Sequence, residues 1–123
     1  MKIRIRGNSL RLRLTQSEVK AFETAKIVSS SIAFPSGTVL TYELCTPGDN
    51  EWKAEFSDNV IRVCVPNDVA RKWLHPDEVG METYLNLPEG DRLRVLIEKD
   101  FACLTERKDE DESDNFPNPM ANC

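Results

Sequence analysis

The sequence predicts an α+β fold, in which an antiparallel sheet of about seven or eight strands carries two short helices on one face. The first observation behind this prediction is alternation: residues 10–14 read LRLRL, so apolar side chains recur at every second position. This period is typical of strands with one buried and one solvated face. The second observation is the repeated use of short turn sequences, such as Pro35-Ser36-Gly37, between such segments. Together they predict a domain whose core is built on a sheet.

Strands and helices are predicted in a similar order in the two halves of the chain. Alternating strands lead into TQSE at residues 15–18, a capping box that predicts a helix to about Ala25. The later predicted elements are hairpins over residues 27–45, 52–65 and 80–99, with a short helix at residues 66–74. Residues 10–45 and 61–98 can therefore be interpreted as two βαββ units in tandem. Their spacing drifts, which leaves chance similarity open as the alternative.

The composition changes near residue 104. Residues 1–14 hold five basic side chains and no acid, whereas residues 105–114 hold six acidic side chains against two basic ones. At 123 residues the chain is long enough for one hydrophobic core. We therefore expect an α+β domain at residues 1–104 and an acidic, proline-containing tail at residues 105–123 that docks on the domain. Phe116 is the expected anchor of this tail.

Four arginines alternate with apolar residues in the first two predicted strands; they are Arg4, Arg6, Arg11 and Arg13. We interpret them as a binding surface for a small anion or a protein partner, and as the landing site of the acidic tail. The net charge of −5 and the lack of aromatic residues between the arginines argue against nucleic acid as the partner. An ordinary polar sheet face, neutralised by the chain's own acids, is the plainer alternative. An exposed strand edge leaves a homodimer open.

The start of the chain alternates charged and β-branched residues, and no later stretch approaches the length of a membrane span. We therefore expect a cytoplasmic protein with no membrane interaction, in which cysteines are normally kept reduced. Cys45 and Cys64 fall within predicted strands, where cysteine is usually a small packing residue. A redox pair among the four cysteines stays open.

The two other cysteines, Cys103 and Cys123, bracket the tail and would meet if the tail folds back. A divalent metal such as zinc needs about four ligands, and the remaining candidates for this set are His75, Asp111 and Asp114. The spacing matches no known metal motif, so unremarkable thiols or a disulfide are the alternatives. His75 is the single histidine, which gives nucleophilic catalysis little support. The sequence does not decide whether the protein is an enzyme.

Two end segments carry a family resemblance. The opening MKIRIRGNSLRLRLTQSEV and the ending KDFACL, followed by EDESDNFPNP and a closing Cys123, resemble the signatures of a family of short, uncharacterised bacterial proteins. The resemblance covers essentially the whole chain. It implies a domain of unknown function, so it supplies no activity and no catalytic residue, but it implies that the tail belongs to the design of the protein.

The sequence therefore leaves the function unknown and ranks three hypotheses. The first is a small domain that is not an enzyme and binds a ligand or partner across its basic sheet face, with the tail as a clasp. The second is a metal-dependent or thiol-dependent activity centred on Cys103 and Cys123. The third is an enzyme with an anion-binding pocket lined by the arginines, which would be favoured if their guanidinium groups converge in a concavity.

Overall fold

The computed structural model of the chain describes residues 1–101 and 113–117. Its elements are β1 (Lys2–Arg6), β2 (Ser9–Leu14), α1 (Gln16–Ala25), β3 (Ile27–Ala33), β4 (Val39–Cys45), β5 (Lys53–Ser57), β6 (Val60–Cys64), α2 (Asn67–Trp73), β7 (Gly80–Asn86) and β8 (Arg92–Lys99). The prediction of an α+β fold with two helices and seven or eight strands is confirmed, with eight strands in the described part of the chain.

The strands form two sheets. Sheet A has the order β1-β2-β8-β7, and sheet B has the order β3-β4-β6-β5. The outer pairs of each sheet are antiparallel hairpins, whereas the central pairs, β2 with β8 and β4 with β6, are parallel. The prediction of a single antiparallel sheet was therefore wrong. Local turns join strands that follow one another in sequence, but the parallel pairs join strands that are distant in the chain.

Helix α1 begins where the capping box predicted. The backbone N–H of Thr15 donates a 2.9 Å hydrogen bond to Oε1 of Glu18, which satisfies a group that has no partner within the helix. The helix ends at Ala25, and Lys26 follows in the left-handed conformation with φ of 65°. Because β3 starts at Ile27, this single residue turns the chain from the helix into sheet B.

One hydrophobic core lies between the two sheets and under the helices. Its buried side chains come from both sheets and both helices: Leu10, Leu12, Leu14, Phe22, Leu44, Val63, Val65, Ala70, Trp73, Met81, Val95 and Ile97. The rings of Phe22 and Trp73 meet edge to face, with 6.1 Å between their centroids, so the two helices contact each other through their largest buried side chains. No helix among the described residues is long and apolar enough to cross a membrane.

Candidate functional site

A basic concavity lies on the outer face of sheet A. Its lining consists of Arg4, Arg6, Ser9, Leu10, Arg11, Arg94 and Leu96, and its volume is about 210 Å³. We call it the arginine pocket. Three of the four arginines singled out in the sequence line it, together with Arg94, which the sequence reasoning missed.

Strand register explains why these arginines share one face. Arg4 is the register partner of Arg11 across β1 and β2, and Arg6 is the partner of Ser9. Ser9 is in turn the partner of Arg94 across β2 and β8. Register partners point to the same side of a sheet, so three strands project their polar side chains into one concavity. The alternation of arginines and apolar residues in β8 is the signal that places Arg94 on a solvated face, but only the β2–β8 pairing brings it to the pocket.

Two of the pocket arginines are engaged by carboxylates. Nε of Arg11 lies 2.5 Å from Oε1 of Glu98, and Nη2 of Arg94 lies 2.6 Å from Oε2 of Glu82. The hydrogen bonds that Arg94 donates to the Glu82 carboxylate raise the pKa of Arg94 above its ordinary value. These contacts hold both guanidinium groups in place while they remain charged.

The other two pocket arginines, Arg4 and Arg6, are exposed. Neither makes an ion pair with any acidic side chain in residues 1–101 or 113–117. The pocket thus combines two guanidinium groups fixed by acids with two that have no acidic partner in the described ranges. Among the described residues, this arrangement leaves an excess of positive charge at the concavity.

Arg13 is not part of the arginine pocket. Its Nη2 lies 3.0 Å from Oδ1 of Asp100, and Nζ of Lys2 lies 3.0 Å from Oδ2 of the same carboxylate. Asp100 is fully buried, so both cations compensate a charge that has been removed from water. These contacts have the distances of ion pairs without the angles of hydrogen bonds. The sequence analysis treated Arg13 as a candidate binding residue, and the structure places its guanidinium group beside the buried Asp100, outside the lining of the arginine pocket.

The described part of the tail, residues 113–117, lies against the first turn of α1. The backbone N–H of Gln16 donates to the carbonyl oxygen of Asp114 at 3.0 Å, and the hydroxyl of Ser17 donates to the Asp114 carboxylate. The hydrogen bonds from Ser17 and from Thr15 lower the pKa of Asp114. This segment lies on α1, because the first turn of a helix offers unpaired N–H groups to a carboxylate. The acidic residues 106–112, which the sequence analysis expected on the arginine face, lie outside the described residues.

Phe116 lies where the tail meets the end of β8. Its backbone N–H donates to the carbonyl oxygen of Asp100 at 2.8 Å, and its ring lies 5.5 Å from that of Phe101. The buried ammonium of Lys99 is 5.7 Å from the ring centres of both Phe116 and Trp73. Burial lowers the pKa of Lys99. A single cation therefore connects the tail segment with the core.

The family comparison identifies the chain without giving it a function. The model of the Family of unknown function (DUF7009) matches residues 1–120. The chain belongs to this family. The resemblance to an uncharacterised family is thereby confirmed, whereas a bacterial origin stays a prediction. No curated protein and no solved structure matches the chain.

The metal site predicted from the sequence falls largely outside the described residues of this DUF7009 chain, because Cys103 and Asp111 lie within residues 102–112 and Cys123 lies within residues 118–123. His75 is exposed in the loop after α2, where its carbonyl oxygen accepts a 2.8 Å hydrogen bond from Nζ of Lys99. The carboxylate of Asp114 accepts a hydrogen bond from the hydroxyl of Ser17 on α1. Within the described ranges, no group of three or more metal-ligating side chains comes together.

An apolar cleft opens between the sheets at the β1–β2 turn. Its lining is mainly aliphatic and aromatic, and the apolar side chains are Ile5, Leu10, Leu40, Ala54, Phe56, Ile61 and Leu93. The cleft has a volume of about 410 Å³, and at its mouth Ile5 and Phe56 are 65% and 68% exposed. Ser9 and Leu10 belong to the linings of both the cleft and the arginine pocket, and they follow the β1–β2 turn. Consecutive strand residues point to opposite faces, so the pocket and the cleft lie on opposite sides of β2 at the same end of the sheet.

Proposed function

We propose that this protein is a small ligand-binding domain whose arginine pocket holds a phosphate or carboxylate group. The observation that carries the proposal is the convergence of Arg4, Arg6, Arg11 and Arg94 in one concavity. A guanidinium group presents a planar fork of N–H donors that matches the oxygens of these anions. A flat stripe of arginines would favour a broad partner surface, whereas a pocket of about 210 Å³ favours a small charged group.

A binding role is favoured over catalysis by the state of the nearby acids. Glu82 and Glu98 are the carboxylates that contact pocket arginines, and each is engaged in an ion pair. The lining, as the described residues form it, holds four arginines, one serine and two leucines, so it offers neither a carboxylate nor an imidazole as a general base. The arginine pocket is therefore proposed as a site of recognition.

The adjoining apolar cleft favours a ligand that also has an apolar part. Because both linings include Ser9 and Leu10 beside the β1–β2 turn, one molecule can place its anionic group among the arginines on the outer face and lead a short chain around this turn into the cleft between the sheets. We propose an anionic amphiphile as the ligand. The exposed apolar area of Ile5 and Phe56, which water solvates poorly, supplies the driving force for burying the chain.

The tail is proposed as a clasp that is separate from this ligand site. The contacts of Asp114 with α1 and of Phe116 with Asp100 support a division into a domain at residues 1–104 and a docked tail at residues 105–123.

We also propose that the chain consists of two structural units in tandem. The order strand, strand, helix, strand, strand occurs twice, and Phe22 and Trp73 face each other from the two helices. A cytoplasmic location is proposed on the sequence pattern alone.

Calorimetric titration with a matched set of ligands tests the proposal. Inorganic phosphate, octyl phosphate and octanol separate the contribution of the charge from that of the chain. We expect octyl phosphate to bind most tightly, phosphate more weakly, and octanol weakest of the three. Phosphate binding should weaken with added salt, because exposed guanidinium charges are screened.

The decisive variant is Arg4→Gln/Arg6→Gln, because neither side chain has an acidic partner in the described part of the fold. Loss of two charge-assisted hydrogen bonds should weaken octyl phosphate binding by about tenfold or more. Lys20→Gln/Lys72→Gln removes the same charge from exposed positions on the helices and should leave the affinity nearly unchanged. Equal losses in both variants would mean that net charge, and not the arginine pocket, attracts the ligand.

A further inference from the structure

A pair of thiols lies at the carboxyl ends of the two central strands of sheet B. Cys45 on β4 and Cys64 on β6 are register partners in the parallel central pair. Their sulfur atoms are 3.1 Å apart, and the residues are 9% and 7% exposed. The sequence analysis interpreted these cysteines as packing residues, and nothing in their spacing of 19 positions indicates that they meet.

The backbone already has the spacing that a disulfide requires. Neighbouring strands lie about 4.8 Å apart, which is within the roughly 4.4–6.8 Å range of Cα separations found across disulfides. Only about 1 Å separates the present sulfur distance of 3.1 Å from that of a covalent bond. A small rotation of the two side chains would close this gap without moving either strand.

We propose that Cys45 and Cys64 form a reversible dithiol–disulfide pair that links the two central strands of sheet B. The oxidant is a small-molecule disulfide of the glutathione class, and the reaction is thiol–disulfide exchange. The thiolate of one cysteine attacks a sulfur of the small disulfide, forms a mixed disulfide and releases one small thiol. The second cysteine then attacks the protein sulfur of the mixed disulfide and releases the second small thiol. Two protein thiols are oxidised, and one small disulfide is reduced to two thiols that carry the protons.

The surroundings of the pair favour the second of these steps. Once a mixed disulfide forms on either cysteine, the other sulfur is already adjacent, so the intramolecular attack has a high effective concentration. Burial is the main cause that raises the pKa of Cys45 to about 12, with the Cys64 thiol and the Glu43 carboxylate adding to it. Cys45 is therefore held as a neutral thiol at rest, and the first attack takes place when the sheet face opens locally.

The resulting bond would enclose β5 and the β5–β6 turn in a ring that runs from Cys45 to Cys64. A disulfide between residues 19 positions apart removes conformational freedom mainly from the unfolded chain, which stabilises the folded state. The oxidised protein should therefore unfold at a temperature higher by at least about 5 °C than the reduced protein. This role is independent of the arginine pocket, which lies on the other sheet.

Redox titration of the full chain tests the proposal. The protein is equilibrated in graded mixtures of reduced and oxidised glutathione, the free thiols are trapped with N-ethylmaleimide under denaturing conditions, and peptides are mapped by mass spectrometry. We expect a peptide pair linked through Cys45 and Cys64 that has lost the mass of two hydrogen atoms. The proposal is overturned if both thiols are still alkylated after equilibration with a large excess of oxidised glutathione.

A matched set of variants assigns the thermal shift to this pair. In the Cys103→Ser/Cys123→Ser chain, Cys45 and Cys64 are the cysteines that remain, so the rise in unfolding temperature on oxidation should persist. In Cys45→Ala/Cys64→Ala it should disappear. If the second variant does not fold, the peptide map of the unaltered chain still decides the question. A rise of equal size in a folded Cys45→Ala/Cys64→Ala chain would contradict the assigned ring.

Discussion

Sheets A and B have the same strand arrangement and different outer faces. In each sheet two hairpins lie side by side, and their inner strands form the parallel central pair. An arginine of each central pair binds a glutamate of the same pair: Arg11 binds Glu98 in sheet A, and Arg62 binds Glu43 in sheet B. The remaining outer positions differ. Sheet A gathers further arginines around its pocket, whereas sheet B brings Cys45 and Cys64 together.

This difference between the outer faces shows which positions of the sheets the fold constrains. The inner faces of both sheets contribute to one close-packed core, so their side chains must be apolar and of suitable volume. The outer faces have no such requirement and are free to carry different chemistry. The polar chemistry accordingly lies on the outer faces, with the arginine pocket on sheet A and the Cys45–Cys64 pair on sheet B.

The largest expected effect on stability comes from a substitution in the hydrophobic core to which both sheets contribute side chains. Trp73 is 1% exposed, packs against Phe22 and donates its indole N–H to the carbonyl oxygen of Val79 at 3.2 Å. Trp73→Ala should lower the free energy of unfolding by about 3–5 kcal/mol, because it leaves a large cavity in the common core. Urea unfolding, followed by circular dichroism and by the fluorescence of Trp52, measures this loss.

The two signals should change together, because truncation of a shared core destabilises both sheets at once. Tyr84→Ala is the control, since Tyr84 lies on the outer face of sheet A and is 47% exposed. Tyr84→Ala should lower the free energy of unfolding far less than Trp73→Ala does. Separate transitions for the two signals would mean that the sheets are independent units, which contradicts a single core.

A smaller effect should separate the two equivalent ion pairs. The side chain of Glu43 is 11% exposed and that of Glu98 is 22% exposed. Arg62→Met therefore leaves a more deeply buried carboxylate without its partner than Arg11→Met does. We expect Arg62→Met to lower the thermal unfolding midpoint further.

Arg13 is a second reason to expect the smaller loss of stability in Arg11→Met. It is the register partner of Glu98, so a positive charge remains beside this carboxylate when Arg11 is replaced. Differential scanning fluorimetry of the two variants in the same buffer measures the two midpoints. An equal or larger loss in Arg11→Met would show that burial of the carboxylate does not govern the strength of these pairs.

The smallest expected effect concerns the tail contact on α1. Hydrogen bonds from Ser17 and Thr15 hold the pKa of Asp114 below its ordinary value of 3.8. A carboxyl group whose pKa is lowered by folding stabilises the protein above its unfolded pKa, and this stabilisation is lost as the pH falls through the folded pKa. Asp114→Ala should therefore lower the unfolding midpoint slightly at pH 7.

The difference between Asp114→Ala and the unaltered chain should begin to shrink near pH 4, where the unfolded carboxyl group takes up its proton, and should shrink further as the pH falls through the lowered pKa of the folded group. Thermal unfolding at a series of pH values measures it, with Asp77→Ala as the control for loss of an exposed acid. A difference that is constant across this range would mean that the contact does not depend on the charge of Asp114.

Local patterns in the sequence were sufficient for much of the fold. The capping box at residues 15–18 placed the start of α1, and the turn sequences placed the hairpins β3–β4, β5–β6 and β7–β8. These features depend on residues close together in the chain, where side-chain period and turn chemistry act directly. For the same reason the alternation in β1 and β2 was sufficient to place Arg4, Arg6 and Arg11 on a solvated face.

Contacts between distant residues could not be predicted in this way. Nothing local to Arg94 indicates that β8 pairs with β2, and nothing local to Cys45 indicates that β6 lies beside it. Arg13 follows the same alternation as Arg11, yet the buried carboxylate of Asp100 holds it outside the arginine pocket. Strand pairing over such distances depends on the packing of the whole core, and a pattern of period two fits either neighbour equally well.

The sequence by itself determined the helices, the hairpins, the apolar faces and the family of this protein. Only the tertiary structure decided that the strands divide into two sheets with parallel centres, that four arginines from β1, β2 and β8 surround one pocket, and that two thiols meet. The physical reason is that period and turn chemistry are properties of neighbouring residues, whereas pairing of distant strands is decided by the burial of one shared core.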